Sequence, residues 1–255
     1  MKTVILTFLS ASFFLSVLNA QPAVIVMSKA QKEELNRKDS LVSLYYNTGI
    51  KKFNAKDFEG AIESYNKAIA IEPNDADAYN NRGNAKGELE RHKEAVADFS
   101  KAIAINPEHH LAYRNRGFSR NFIGDYQGAL ADYDKAIELT PDDAILYLNR
   151  GIAKDNLQNY SGAISDYSSA ILLAPTNVDA RFNRGLAKYN LKDFIGAKDD
   201  FSAVITLNGK HKEAYFYRAD TLYKLKDIVG ACADWGMAGE LGMLEAYEET
   251  KTKCK

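Results

Sequence analysis

The chain predicts an all-α fold, a solenoid of six helix-turn-helix units closed by a C-terminal capping helix. Three periodic features carry that expectation. A small residue returns every 34 residues, at Gly49, Gly83, Gly117, Gly151, Gly185 and Ala219. An aromatic follows each at a constant distance: Tyr65, Phe99, Tyr133, Tyr167, Phe201 and Trp235. Pro73, Pro107, Pro141 and Pro175 then close four of the units, with Gly209 and Met243 in the last two slots. A period of this length marks a stacked array rather than one globular core.

Taking the small residue as position 8, the units run 42–75, 76–109, 110–143, 144–177, 178–211 and 212–245 without gaps. The first helix of each carries position 4, which is Tyr45, Tyr79, Tyr113, Tyr147, Arg181 and Tyr215, and the small residue that lets a second helix cross closely. The second helix carries alanine at position 20 in all six units and the aromatic at position 24. Its apolar residues, as in Ala129, Leu130, Tyr133, Ala136 and Ile137, fall at the three-and-four spacing of one helix face. Proline at position 32 ends this helix, because it lacks an N–H and disfavours helical geometry in the residue before it. Polar pairs such as Asn74-Asp75 and Asp142-Asp143 then suit the start of the next helix. One hairpin cannot bury both faces, so each must stack on its neighbour.

The segments outside the array differ in kind. Residues 1–20 read as a secretory signal peptide: Lys2, an apolar run from Val4 to Leu18, and Ala20 before Gln21. That run is too short and serine-dotted to span a membrane comfortably. Gln21 in place of cysteine argues against a lipid anchor. The mature chain is therefore expected outside the cytosol, periplasmic or extracellular, with no stable membrane insertion. Residues 21–41 form a lead-in, read either as a solvated tether or as a helix opened by a Ser28–Gln31 capping box. Residues 246–255 are assigned to the cap.

The positions named above resemble the tetratricopeptide repeat (TPR) family, over residues 42–245. The resemblance implies a right-handed superhelix whose first helices line a concave groove, at positions 2, 5, 6, 9, 12 and 13. Two positions depart from the family pattern. Position 7, usually apolar, is Arg82, Arg116, Arg150, Arg184 and Arg218 in repeats two to six. Position 11, often tyrosine, is Lys52, Lys86, Arg120, Lys154, Lys188 and Leu222. The same five repeats carry Asp98, Asp132, Asp166, Asp200 and Asp234 at position 23, whereas repeat one has Thr48 and Ser64. That joint change predicts an ion pair inside each of repeats two to six, contributing about 0–1 kcal/mol if exposed.

Cys232 and Cys254 flank the turn near Gly242 at similar distances, so antiparallel helices bring them to similar heights. A disulfide in an oxidising compartment and two free thiols are both compatible with that spacing. The pattern of Ala231 to Trp235, Leu241-Gly242 and a late cysteine also resembles the terminal cap of exported bacterial repeat proteins.

No catalytic constellation is present in the sequence, which is read as non-enzymatic and without cofactor or metal. His109-His110 lack a cysteine or carboxylate partner at ligand spacing. Without Lys2 the charged residues are 32 basic and 34 acidic, leaving no footprint for nucleic acid. Position 6 is Asn47, Asn81, Asn115, Asn149 and Asn183, then Tyr217. Such a ladder can hydrogen-bond an extended peptide, or bond neighbouring repeats. Groove aromatics include Phe118, Phe122 and Phe182, and Asp179, Glu213 and Asp220 tint the last repeats acidic. The family's clamp for chaperone C-terminal carboxylates is incomplete in every register, with Phe118, Ile145 and Asn149 where it needs asparagine or cations. The expected function is an exported scaffold binding a protein or peptide, with candidate residues Asn81, Asn115, Phe118, Asn149, Phe182 and Asn183. A glycan-binding protein and a purely structural envelope component are the alternatives.

Overall fold

The computed structural model describes residues 28–255; the expected signal peptide at 1–20 and the first part of the lead-in lie outside them. The described residues form thirteen helices in sequence. The six hairpins are α1 (Lys29–Asn54) with α2 (Phe58–Ile71), α3 (Ala76–Glu88) with α4 (His92–Ile105), and α5 (His110–Phe122) with α6 (Tyr126–Leu139). Next come α7 (Ala144–Asn156) with α8 (Tyr160–Leu173), α9 (Val178–Asn190) with α10 (Phe194–Leu207), and α11 (Lys212–Lys224) with α12 (Ile228–Glu240). Helix α13 (Leu244–Lys253) closes the array. Each helix packs on the next, and first helices of adjacent repeats also touch, so the array is one stacked layer of hairpins.

The glycine at position 8 is there because the ring at position 24 lies directly over it. A methyl group on Gly49 would sit 2.5 Å from the Tyr65 ring, and one on Gly151 2.5 Å from Tyr167. Tyr133, Tyr167 and Phe201 are fully buried by this contact. Each such ring contributes roughly 1.5–3 kcal/mol by leaving water. Alanine at position 20 is fully buried in all six repeats, which sets how closely the hairpin helices approach.

The turn within each hairpin also has a fixed chemistry. A residue with positive φ precedes the cap, at Lys56, Glu90, Gly124, Gln158, Lys192 and Lys226. The next side chain, Asp57, Asp125, Asn159, Asp193 or Asp227, accepts the backbone N–H of a glycine three residues on. Repeat two departs: Arg91 makes no cap bond and instead pairs with Glu94, which stands in the glycine slot. Between repeats the cap is Asp75, Asp143 or Asn177, and in two cases a histidine. His109 and His211 accept the N–H groups of Ala112 and Ala214 through Nδ1, at 3.4 and 3.2 Å.

The lead-in joins the first hairpin without a break. Ser28 accepts from Gln31 N–H, while the Gln31 side chain accepts from Ser28 N–H, completing a capping box. Helix α1 therefore starts well before residue 42, and its early turns are solvent-exposed and laced by Lys29–Glu33 and Lys38–Glu34 pairs.

The position-7 arginines do more than pair within a repeat. Arg150 donates from Nε and Nη2 to Asp166 at 2.9 and 2.7 Å, and from Nη1 to Asp134 of the preceding repeat at 2.7 Å. Arg82 reaches Asn66 in the same way, Arg116 reaches Ser100, Arg184 reaches Ser168 and Arg218 reaches Ser202. Each guanidinium thus ties two consecutive second helices together. In four repeats it also lies over the position-4 tyrosine, as Arg82 does over Tyr79 at 5.2 Å. The position-11 cations have the same destination: Lys86, Arg120, Lys154 and Lys188 contact the position-23 aspartates at 2.7–2.8 Å. Those aspartates are 2–6% exposed, so the surface magnitude expected from sequence does not apply.

Cys232 and Cys254 are joined by a disulfide with Cα atoms 5.8 Å apart, fixing α13 to α12. Ala246 is buried beneath the cap, and Lys253 Nζ lies 4.9 and 5.0 Å from the Tyr223 and Trp235 ring centroids.

Candidate ligand groove

The first helices of repeats one to four line a groove cavity of about 660 Å³. Its walls come from Phe53, Asn84, Glu88, Arg114, Asn115, Phe118, Phe122, Ile145 and Asn149, with His92 at the edge. These occupy positions 2, 5, 6, 9, 12 and 13 of the repeat, apart from His92, which opens α4. Helical geometry places those positions on one face, away from the second helix of the same hairpin.

Three large apolar side chains in this groove are left open to water. Phe118 is 46% exposed, Phe122 62% and Ile145 50%. Phe118 and Phe122 lie one helical turn apart on α5, with ring centroids 4.9 Å apart. His92 stacks on the outer face of Phe122 at 4.4 Å and fixes that ring from the neighbouring repeat. Arg114 stands beside them, 3.5 Å from Asp143, whose other oxygen caps α7.

The asparagine ladder divides. Asn115 donates to Asn80 at 3.1 Å, Asn80 to Asn81 at 3.3 Å, and Asn81 to the Tyr46 hydroxyl at 2.8 Å. This chain of amides bridges repeats one to three, the structural use that the sequence left open beside peptide binding. Asn149 and Asn183 take part in no side-chain hydrogen bond among the described residues, so their amides remain open to a ligand. Asn81 borders a second, smaller hollow of about 280 Å³ with Ile50 and Phe53. Phe182 packs among Phe201, His211 and Tyr217 at 4.8–5.9 Å. Of the six residues expected at the site, Asn115, Phe118 and Asn149 therefore share one cavity; Phe182 is engaged in packing, and Asn183 lies one repeat further on.

Sequence reasoning underweighted Phe122, Ile145 and His92. Phe122 and Ile145 stand at groove positions 13 and 2, so the register alone could have grouped them with Phe118. His92 carries no such signal, because its stacking depends on the turn of repeat two.

Further along, the groove turns acidic. Tyr167 donates to Asp155 at 2.7 Å, and burial pushes the Asp155 carboxyl above the usual range, with the tyrosine bond opposing it. Burial raises Asp220 likewise, with Lys253 acting in the opposite direction. Among the described residues no group of three or more His, Cys, Asp or Glu side chains is placed to hold a metal. His109 Nε2 instead lies 3.2 Å from Asp77 while its Nδ1 caps α5. No described helix is long and apolar enough to cross a membrane.

Comparison with known proteins agrees with this architecture. A model of the TPR repeat matches residues 52–90 and 123–154, and a tetratricopeptide repeat model matches 76–109. No curated protein matches the chain. Among solved structures, PilF of Pseudomonas aeruginosa is 18% identical over 85% of this chain and 99% of its own, with a TM-score of 0.71. YrrB, described as a TPR protein with an unusual peptide-binding site, is 22% identical over 74% and 99%, with a TM-score of 0.65. MamA (41-end) from Desulfovibrio magneticus RS-1 is 23% identical over 67% and 97%, with a TM-score of 0.64. At these identities the likeness is one of fold. With six hairpins in one register and family matches falling on the first four of them, this is a tetratricopeptide repeat protein.

Proposed function

We propose that the protein is an exported, non-enzymatic scaffold that binds a segment of a partner protein in the groove of repeats two to four. The observation that carries this is the exposed Phe118, Phe122 and Ile145 cluster beside the unbonded amide of Asn149. A repeat protein has no need to leave three large apolar groups together in water, and such a patch is where a partner's side chains are buried. The rings are held by each other and by His92, so binding orders little of the receptor. Export is supported by the disulfide, which suits an oxidising compartment, and by the signal-like composition of residues 1–20.

The test is capture of partners from the envelope fraction by the wild-type chain, by a Phe118→Ala/Asn149→Ala variant, and by a Lys135→Ala/Glu138→Ala variant. Lys135 and Glu138 pair on the opposite helix of repeat three. Loss confined to the Phe118/Asn149 variant supports the groove. Loss confined to the Lys135/Glu138 variant, or binding of purified polysaccharide in place of any protein, contradicts it.

A further inference from the structure

Resting on that reading, we infer that the groove selects a partner segment carrying a bulky apolar residue flanked by lysine or arginine. The apolar anchor would sit among Phe118, Phe122 and Ile145, and the flanking cations along a row of carboxylates.

The charge argument is independent of the apolar cluster. Most of the cavity's lining residues stand at six register positions: 2 through Ile145, 5 through Arg114, 6 through Asn115 and Asn149, 9 through Asn84 and Phe118, 12 through Phe53, and 13 through Glu88 and Phe122, with Glu90, His92, Phe99 and Ser119 outside that set. Across repeats two to six those same positions hold Asp77, Glu88, Asp155, Asp179, Glu213 and Asp220. The cations there are Arg114 and Lys224. Asp77 and Glu213 lie 3.2 and 3.3 Å from His109 and His211, Tyr167 donates to Asp155, and Lys253 acts on Asp220, so Glu88 and Asp179 are the carboxylates of this face without a side-chain partner among the described residues. Over the whole chain acids and bases nearly balance, with a net charge of −1, so the acidity is concentrated on this face. Arg114 is already turned toward Asp143, whereas Glu88 and Glu90, at the rim of the apolar cluster, form no ion pair among the described residues. Elsewhere the carboxylates of the second helices are neutralised by position-7 and position-11 cations. A row of one sign lining a concave wall focuses its field on the groove and favours a ligand of the opposite sign. The exposed ring of Phe118 adds a second preference for a cation beside the anchor, one face of Phe122 being taken by His92.

The experiment uses three labelled synthetic peptides of equal length, each with a central leucine-phenylalanine pair, flanked by lysines, serines or glutamates. Anisotropy titration with the full mature chain should rank them lysine, serine, glutamate. The first two should differ by about tenfold in Kd, as expected for a few exposed charge contacts. The gap should shrink as salt rises from about 0.05 M to about 0.5 M. Glu88→Gln with Asp179→Asn should weaken only the lysine peptide, whereas Phe122→Ala should weaken all three. All these positions are exposed, so folding is little affected. Equal affinities for the three peptides would overturn the charge preference and leave the groove reading standing. Absence of binding by every peptide would count against both. Lysine-peptide binding that survives Phe118→Ala and Phe122→Ala would also overturn the inference, because charge alone would then be the recognised feature.

Discussion

Replacing Arg218 by alanine should destabilise repeat six more than replacing Arg150 destabilises repeat four, although both arginines hold their aspartates by two hydrogen bonds. Arg218 reaches Asp234 at 2.6 and 2.7 Å, and Arg150 reaches Asp166 at 2.9 and 2.7 Å. The difference is position 11. Lys154 gives Asp166 a second cation at 2.7 Å, but repeat six has Leu222 there. Asp234 is 6% exposed and in Arg218→Ala loses the one cation it contacts among the described residues, which should cost about 3–5 kcal/mol, the usual penalty for orphaning a buried charge. In Arg150→Ala the Lys154 contact remains, and retaining one charged hydrogen bond is worth about 1.5–3 kcal/mol, leaving a loss of about 1–3 kcal/mol. Adding Asp234→Asn to Arg218→Ala should recover part of the loss by removing the orphaned charge. Because a repeat array need not unfold in one step, the assay is hydrogen exchange read separately on α7–α8 and α11–α12. Equal losses for the two arginines, or no recovery with Asp234→Asn, would refute this account of the ion-pair ladder.

Gly151→Ala should destabilise by about 1–3 kcal/mol, because the new methyl meets the Tyr167 ring at 2.5 Å; thermal melting checks it. Gly87→Ala, where nothing lies within 4 Å, should instead stabilise α3 by about 0.5–1 kcal/mol. Asp155→Asn should flatten part of the stability–pH profile. Its folded pKa is raised by burial, so the native state holds that proton more tightly, and its contribution is lost as pH rises from the ordinary aspartate range through the raised value. The variant should therefore gain on the wild type with rising pH across that window in urea titrations. Reducing the disulfide, which spans 22 residues, should cost about 3 kcal/mol in the chain-entropy model, with exchange increasing first in α13. Intact-mass measurement after alkylation of protein isolated from its native cell shows whether both thiols are blocked.

The hairpin frame was legible because each of its constraints recurs. Glycine under a ring, alanine at a crossing and proline after a helix repeat often enough to reveal the period without coordinates. The pairing of Arg150 with Asp166 was legible for the same reason, since repeat one lacks both partners. Its link to Asp134 in the preceding repeat was not, because position 25 is variously Asn66, Ser100, Asp134, Ser168 and Ser202, and these types share only an acceptor oxygen. The groove was harder still. Register predicts which residues face it, but not whether a residue is left free there. Asn115 and Asn149 occupy the same position; one finds Asn80 in the preceding repeat, while the other faces a repeat whose corresponding side chain is Arg114. Phe118 and Phe182 are similarly exposed in sequence terms, yet only Phe182 is enclosed by Phe201, His211 and Tyr217.

The central claim is that partners are held at the apolar cluster of repeat three. Site-specific photo-crosslinking in the native cell tests it most directly, with a photoreactive phenylalanine analogue at position 118, at position 122, or at outer-face position 138. Positions 118 and 122 should yield the same discrete adduct with a polypeptide, and position 138 should yield none. An adduct formed from position 138 with none from 118 or 122 would place the binding surface elsewhere and contradict the account.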